Sequence, residues 1–192
     1  MAVAAVVFDV GETLVDETRN WESVADECGV PRFTLMALVG ATIGAGESHH
    51  RALELLGIRP SRRAFFNDQW YPDAVPCLDR LRRLGIVVGA AGNMAIEHEE
   101  LIRPHVDFVG SSERFEVEKP APGFFTRVAE LAGVAPERIA YVGDRVDNDV
   151  VPALAAGMVA VHMRRGPWGY LHEPPAGAIR ISSLDELPAA LR

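Results

Sequence analysis

Short runs of apolar, mostly β-branched residues recur along the chain, separated by segments that are richer in charged residues, glycine and proline. Apolar runs of about four to eight residues are typical of strands that are buried on both faces of a sheet. We therefore predict strands over residues 3–8, 86–91, 106–109, 139–142, 158–162 and 178–181.

Between these runs, apolar residues recur at helical spacing instead. One such pattern, over residues 75–84, is followed by Gly85, and another, over residues 124–131, is followed by Gly133. Glycine at these positions is typical of the C-terminal end of a helix. Strands that alternate with helices predict an α/β fold, with a Rossmann-like parallel sheet covered by helices on both faces.

Residues 17–68 interrupt this alternation, since they contain no convincing strand and are far too many for a simple connection. The apolar pattern there predicts short helices near residues 22–28, 33–39 and 49–56, separated by glycine and proline. We therefore predict a small inserted α-helical cap over residues 17–68. Residues 1–16 and 69–192 then form the α/β core domain.

Composition narrows the classes of partner. The 192 residues carry a net charge of −8 and contain no run of lysine or arginine, which argues against a nucleic acid or an anionic membrane as partner. The first apolar run is too short for a signal sequence, and no run is long enough to span a membrane. Two cysteines, Cys28 and Cys77, are too few for a disulfide framework. We expect a soluble cytoplasmic protein, whose oligomeric state the sequence does not indicate.

Chemically active residues follow several of the predicted strands. Asp9 follows the first, Asn93 the second, and Asp144 the fourth, with Asp149 shortly afterwards; Lys119 follows the third at a greater distance. Because ligands of a parallel sheet bind at the carboxyl ends of its strands, we expect these side chains to meet at one edge. Two acidic side chains and one amine at such an edge suit a divalent cation and an anionic ligand.

The chemistry of such a cluster can be derived from its charges. A carboxylate such as Asp9 attacks an anionic phosphate poorly unless the negative charge is neutralised. Mg²⁺ held by Asp9 and Asp144 would neutralise it, because carboxylate oxygens suit this hard cation. Lys119 would offset the remaining charge, and backbone N–H groups in the turn after Asp9 could hold phosphate oxygens.

At these positions the sequence resembles the haloacid dehalogenase-like hydrolases. Their first motif is a strand that ends in D-x-D-x-T, and Asp9 and Thr13 match its first and last positions. A strand ending in Ser or Thr, a Lys and a G-D-x-x-x-x-D motif follow in that order. Lys119 matches the third motif, and Asp144 and Asp149 match the fourth. The helical insertion also lies where members of this family carry a cap.

The resemblance implies a function and a role for each matching residue. It implies a Mg²⁺-dependent phosphatase of a small phosphorylated metabolite, in which Asp9 forms an aspartyl-phosphate that water then opens. Lys119 would be the second catalytic residue and would bind the substrate together with Thr13. The metal ion would be bound by Asp9, Asp144 and Asp149 and by the peptide carbonyl of Gly11. Asp149 would act as an outer organiser of the metal ion or would orient Lys119.

The sequence departs from the family pattern at two glycines. Gly11 stands where phosphatases of this family carry the aspartate that protonates the leaving group, and losing a general acid typically costs about 10²–10⁴-fold in rate. Glu12 is the nearest substitute, although it is offset by one residue. Gly92 stands where a Ser or Thr hydroxyl binds the phosphate, and the amide of Asn93 is the candidate replacement.

These departures leave alternatives open. A leaving group that departs as a stable anion needs little protonation, so acyl and aryl phosphates are the expected substrates, and Gly11→Asp is expected to improve the hydrolysis of alkyl phosphates. The second hypothesis is a catalytically weak or inactive binding or regulatory protein of the same fold. A 2-haloacid dehalogenase is a third, which the paired acidic residues Asp144 and Asp149 disfavour.

Two further segments attract attention without carrying a functional prediction. His49 and His50 have no Cys or His at metal-ligand spacing, so we place them on the surface. The segment with Arg164, Arg165 and Trp168 follows the fifth strand and reads as a packed loop rather than as an anion-binding loop.

Overall fold

The computed structural model describes residues 2–59 and 69–192, so residues 60–68 of the predicted cap lie outside the described part. Within that part, six parallel strands form one sheet in the order β3-β2-β1-β4-β5-β6. The strands are β1 Ala5–Phe8, β2 Val87–Gly92, β3 Phe108–Ser111, β4 Ile139–Gly143, β5 Val159–Met163 and β6 Ile179–Ile181. This order confirms the Rossmann-like α/β fold and places its topological switch point between β1 and β4.

Each predicted strand is found with small shifts at its ends. The largest is at β3, which begins at Phe108 rather than at residue 106. The cause is Asp107, whose N–H donates to the carbonyl of Val88 while its carboxylate accepts from the Val88 N–H. A side chain therefore takes the place of a backbone acceptor just before this strand.

The described helices connect the strands and are short. They are α1 Thr18–Glu27, α2 Arg32–Gly44, α3 His50–Leu56, α4 Ala74–Arg83, α5 Glu99–Ile102, α6 Ser112–Phe115, α7 Pro122–Ala132, α8 Val151–Ala155, α9 Gly166–Leu171 and α10 Leu187–Ala190. A π-helical turn, Val146–Val150, precedes α8, and short 3₁₀ turns lie at Ile96–His98, Arg103–His105, Pro136–Arg138 and Leu184–Glu186. In the ranges described, no helix has the length and apolar character needed to cross a membrane.

The sheet is covered on both faces, as predicted. In β1, Val6 and Phe8 pack into one buried cluster with residues of α4, whereas the alternating Ala5 and Val7 pack into a second cluster with residues of α7. Side chains of a strand point alternately to opposite faces, so an all-apolar run is what a doubly covered strand requires. β1 is therefore a central, rigid strand, and the residue that follows it is held in a defined place.

The helices α1, α2 and α3 form a third buried cluster of their own. Trp21 and Val24 of α1 pack with Leu35 and Val39 of α2, and the cluster also includes Trp168 of α9, from the α/β part of the chain. Each of the three predicted helices overlaps one of these helices, although α1 begins four residues earlier than predicted and α2 continues five residues further. The division into a core domain and a cap at residues 17–68 stays a prediction.

Candidate active site

Three carboxylates and an amine meet at the switch point of the sheet. Asp9 follows β1 and Asp144 follows β4, and these two strands are neighbours. Asp149 lies on the π-helical turn, and Lys119 lies just before α7. The structure thus brings together the four charged residues that the sequence predicted to meet, which are far apart along the chain.

Lys119 lies at the centre of the cluster. Its ammonium nitrogen is 2.6 Å from Asp9 Oδ1 and 2.6 Å from Asp149 Oδ1, and its side chain is only 2% exposed. Burial lowers the pKa of Lys119, but the charges of Asp149 and Asp9 outweigh burial and hold this pKa well above its ordinary value. Lys119 is therefore a permanent cation beside Asp9.

Asp149 holds Lys119 from the opposite side. Its Oδ1 accepts from Lys119, and its Oδ2 accepts from the backbone N–H of Arg145 at 3.0 Å. A Cβ at Gly143 would lie 2.4 Å from the Asp149 carboxyl carbon, so only glycine allows the end of β4 to approach so closely. Burial raises the pKa of Asp149 to about 6, against the opposing charge of Lys119. Both oxygens are engaged, one of them by Lys119. Whether Asp149 orients Lys119 or organises the metal ion stays a prediction.

Among the described residues, Asp144 is the carboxylate of this cluster with a buried oxygen that has no hydrogen-bond partner. It is 2% exposed, and its Oδ2 has no hydrogen-bond partner among the described residues. Burial raises the pKa of Asp144 well above its ordinary value, and the negative charges of Asp149 and Asp9 raise it further. An oxygen of each of these three carboxylates lies within 4.8 Å of the others. Such an all-oxygen donor set fits a hard divalent cation such as Mg²⁺.

The cluster opens into a cavity of about 590 Å³. Asp9, Lys119 and Asp144 lie in its wall together with Gly11, the residue whose carbonyl is predicted to bind the metal ion. The helical region contributes Glu17, Asn20, Ser48, His49 and His50 to the wall, and the rest of the chain contributes further residues, among them Arg145, Asn148 and Trp168. The volume suits a small metabolite.

Thr13 and Asn93, two predicted substrate-binding residues, have other contacts in the structure. Thr13 is fully buried, is absent from the cavity wall and accepts a hydrogen bond from Arg165 through its carbonyl. Asn93 lies in the wall, and its amide both donates to the carbonyl of Lys119 and accepts from the Lys119 N–H. Asn93 therefore fixes the backbone that carries Lys119, and its binding of substrate stays a prediction.

Gly92 has a steric reason to be glycine. A Cβ at this position would lie 2.8 Å from Oδ1 of Asp9, closer than such atoms approach. The Ser or Thr that the family pattern places here would push against the Asp9 carboxylate in this arrangement. The absence of a hydroxyl at position 92 therefore follows from where the Asp9 carboxylate lies. The predicted binding of substrate by Gly92 could involve only its backbone, and it stays a prediction.

Glu12, the substitute acid considered from the sequence, is held by two donors. Its Oε1 accepts from the Glu17 N–H at 2.9 Å, and its Oε2 accepts from the Tyr71 hydroxyl at 2.7 Å. Burial raises the pKa of Glu12 to about 7, against the opposing effect of the Tyr71 hydrogen bond. The carboxyl of Glu12 thus connects Tyr71 to the backbone just before α1.

The sequence did not indicate which residues outside the charged cluster line the cavity. His49, expected on the surface, lies in this wall, and its ring contacts those of Trp21 and Trp168 at centroid distances of 5.6 and 5.5 Å. Trp168 is packed as predicted, with 6% of its surface exposed, but it lies on the helix α9 rather than on a loop, and it also lies in the cavity wall. No local pattern could reveal these contacts, since His49 and Trp168 are distant in sequence.

Comparisons with known proteins identify similar sequences and folds. The sequence model of the haloacid dehalogenase-like hydrolases matches residues 3–157. A segment of 104 residues is 43% identical to glyceraldehyde 3-phosphate phosphatase of Methanopyrus kandleri, and it covers 51% of this chain and 45% of that protein. The chain therefore spans about half the length of this curated relative.

Solved structures share the fold. A magnesium-bound HAD hydrolase, YfnB from Bacillus subtilis, superposes with a TM-score of 0.74 at 16% identity, and both chains are covered completely. The L-2-haloacid dehalogenase of Xanthobacter autotrophicus superposes with a TM-score of 0.72 at 21% identity, covering 99% of this chain and 98% of that one. At these identities the likeness concerns the fold alone.

Proposed function

Since this chain belongs to the haloacid dehalogenase-like hydrolase family, we propose that it is a Mg²⁺-dependent phosphatase of small phosphorylated metabolites, with Asp9 as the nucleophile. The observation that carries the proposal is the contact between Asp9 and the Lys119 ammonium, at the wall of a cavity of about 590 Å³. The name of the similar archaeal protein, a glyceraldehyde 3-phosphate phosphatase, supports a small phosphorylated substrate.

In the proposed reaction, a carboxylate oxygen of Asp9 attacks the phosphorus atom and the ester oxygen departs with the electron pair of the broken bond. Water then attacks the same phosphorus atom and releases phosphate and the free carboxylate of Asp9. Lys119 orients Asp9 and offsets its charge, because its buried ammonium is in direct contact with this carboxylate. Asp149 keeps the ammonium in place from the other side.

The carboxylates of Asp9 and Asp144 and the carbonyl of Gly11 are the groups that would hold Mg²⁺. The unpartnered Oδ2 of Asp144, among the described residues, supports this assignment. When bound, the ion supplies positive charge that offsets the negative charge of the phosphate and of the carboxylates.

A panel of phosphate esters, assayed with Mg²⁺ and with EDTA, tests the proposal. We expect turnover with Mg²⁺ and a loss of about 10³-fold or more in Asp9→Asn, because the covalent route is removed. Asp79→Asn, on the exposed side of α4, is the matched control and should keep full activity. Full activity of Asp9→Asn would contradict the proposal.

The departures at Gly11 and Gly92 favour one competing candidate, a binding or regulatory protein that keeps the fold and has little activity. The same panel separates the two. A protein that turns over no ester in Mg²⁺, but binds a phosphorylated metabolite in calorimetry, would be such a binding protein.

A further inference from the structure

We propose that Glu17, the residue before α1, contacts the leaving-group oxygen and protonates it, so that the acid comes from the helical region rather than from position 11. This inference rests on the proposed phosphatase function. It assigns a role to a residue that matches no motif of the family, and it accounts for the glycine at position 11.

The close approach of Glu17 to Gly11 carries the inference. A Cβ built at Gly11 would lie 2.9 Å from both the carboxyl carbon and Oε1 of Glu17, and 3.4 Å from Oε2. An aspartate side chain at position 11 would place its carboxyl carbon about 1.5 Å beyond that Cβ, the length of one C–C bond. The Glu17 carboxyl thus lies directly in front of Gly11, where a side chain at position 11 would begin.

The backbone around Glu17 is built to hold it there. The Glu17 N–H donates to Glu12 Oε1, and the Glu17 carbonyl accepts from the Trp21 N–H in the first turn of α1. Glu12 itself has a φ of 51°, a left-handed conformation that few residues other than glycine adopt, and it is anchored by Tyr71. The buried Glu12 carboxyl therefore positions Glu17.

Glu17 lines the same cavity as the reacting groups. Asp9 and Lys119 lie in the wall of that cavity, and so does Asn20, one turn further along α1. Because the attacking and leaving oxygens lie roughly in line on either side of phosphorus, the proposal places the leaving-group oxygen on the side that carries Glu17.

The proton balance is simple. As the oxygen of Asp9 forms its bond to phosphorus, the phosphorus–oxygen bond to the leaving group breaks, and the departing oxygen takes the proton of the Glu17 carboxyl. The resulting Glu17 carboxylate then takes a proton from the water molecule that attacks phosphorus. The bond between phosphorus and the Asp9 oxygen breaks, phosphate leaves, and Glu17 is protonated again.

This geometry changes an expectation from the sequence. Gly11→Asp alone should improve alkyl phosphate hydrolysis by less than the sequence suggests, because the new Cβ would displace the end of the Glu17 side chain. The gain should be larger when Glu17 is shortened at the same time. Substitutions at positions 11 and 17, made separately and together, therefore test the inference.

The experiment compares an alkyl ester, glyceraldehyde 3-phosphate, with p-nitrophenyl phosphate, whose leaving group needs little protonation. Glu17→Gln should lower kcat for the alkyl ester by about 10²–10⁴-fold and kcat for the aryl ester by less than about tenfold. The swap variant Gly11→Asp/Glu17→Ala should recover much of the alkyl activity. Glu22→Gln on α1, which pairs with Arg32 outside the cavity wall, is the control and should leave both rates unchanged.

Each remaining outcome overturns the inference in a distinguishable way. Equal losses on both esters, with no recovery in the swap, would mean that Glu17 acts only on the fold; unchanged rates in Glu17→Gln would mean that it takes no part. In both cases the phosphatase function stands. A wild-type protein that hydrolyses neither ester in Mg²⁺ overturns the proposed function and the inference together.

Discussion

Two clusters of charged side chains lie near the carboxyl edge of the sheet, and they differ in how their buried carboxylates are compensated. In the Glu99 cluster, formed by Glu99, Arg103, Ser111 and Arg114, both oxygens of one buried carboxylate accept hydrogen bonds, and the two arginines are partly exposed. In the Lys119 cluster, formed by Asp9, Lys119, Asp144 and Asp149, three carboxylates lie together with one ammonium among the residues that the structure describes, and the ammonium contacts two of them.

The pKa values reflect this difference. Burial raises the pKa of Glu99, but the hydrogen bonds from Arg114 and Ser111 outweigh it, and the net pKa lies below its ordinary value. The pKa of Asp144 is raised by burial and by its acidic neighbours instead. A cluster that the chain itself neutralises serves the fold. A cluster left with excess negative charge is suited to recruit a cation from outside, at a cost in stability.

The largest expected effect comes from removing the cation of the Lys119 cluster. Lys119→Met has a similar volume but leaves buried carboxylates uncompensated, so it should lower the free energy of unfolding by about 3–5 kcal/mol without Mg²⁺. Urea unfolding at pH 7 measures the loss, and added Mg²⁺ should reduce it. An unchanged stability would show that the carboxylates do not depend on Lys119.

With Mg²⁺ at 100 times its dissociation constant, the proposed metal site should stabilise the wild-type protein by about 2.7 kcal/mol, because the site forms only in the folded state. The measurement is unfolding with and without Mg²⁺ in the absence of substrate. Asp144→Asn should lose most of this response, whereas Glu99→Gln should keep it. An equal response of both variants to Mg²⁺ would show that the two clusters do not differ in cation binding.

The smallest effect is expected in the Glu99 cluster. Glu99→Gln removes a buried charged acceptor and should cost about 1.5–3 kcal/mol at pH 7, while Glu100→Gln, its exposed neighbour on α5, should cost little. Because the folded pKa of Glu99 lies below its unfolded value, its contribution is complete above the unfolded pKa and is lost as the pH falls through the folded pKa. Unfolding curves from pH 7 to pH 3 should therefore converge for the wild type and Glu99→Gln.

The sequence predicted the α/β core and one side of the candidate site well. Asp9 and Asp144 could be placed because position at a strand end depends only on where apolar runs stop, and the sheet brings those ends together. Lys119 lies beyond α6 rather than at a strand end, and it was placed by its match to the third motif of the family. The assembly of these residues is confirmed, while their individual roles stay predictions.

The other side of the site could not be predicted in the same way. Glu17 is only six residues from Gly11, yet its approach depends on the left-handed conformation of Glu12 and on Tyr71, which anchors it from a distant part of the chain. His49 lies in the cavity wall only because the helical region packs against Trp168. Contacts of this kind depend on tertiary packing, for which hydrophobic periodicity gives no signal.

Of the 19 basic residues in the chain, 18 are arginines, and Lys119 is the single lysine. An ammonium is a compact point charge that fits between two carboxylates, whereas the planar fork of a guanidinium is larger and needs several aligned acceptors. One practical consequence concerns protein labelling. Among the side chains, a reagent selective for lysine amines has a single target, which is buried beside Asp9, so the rate of its modification reports directly on the opening of this cavity.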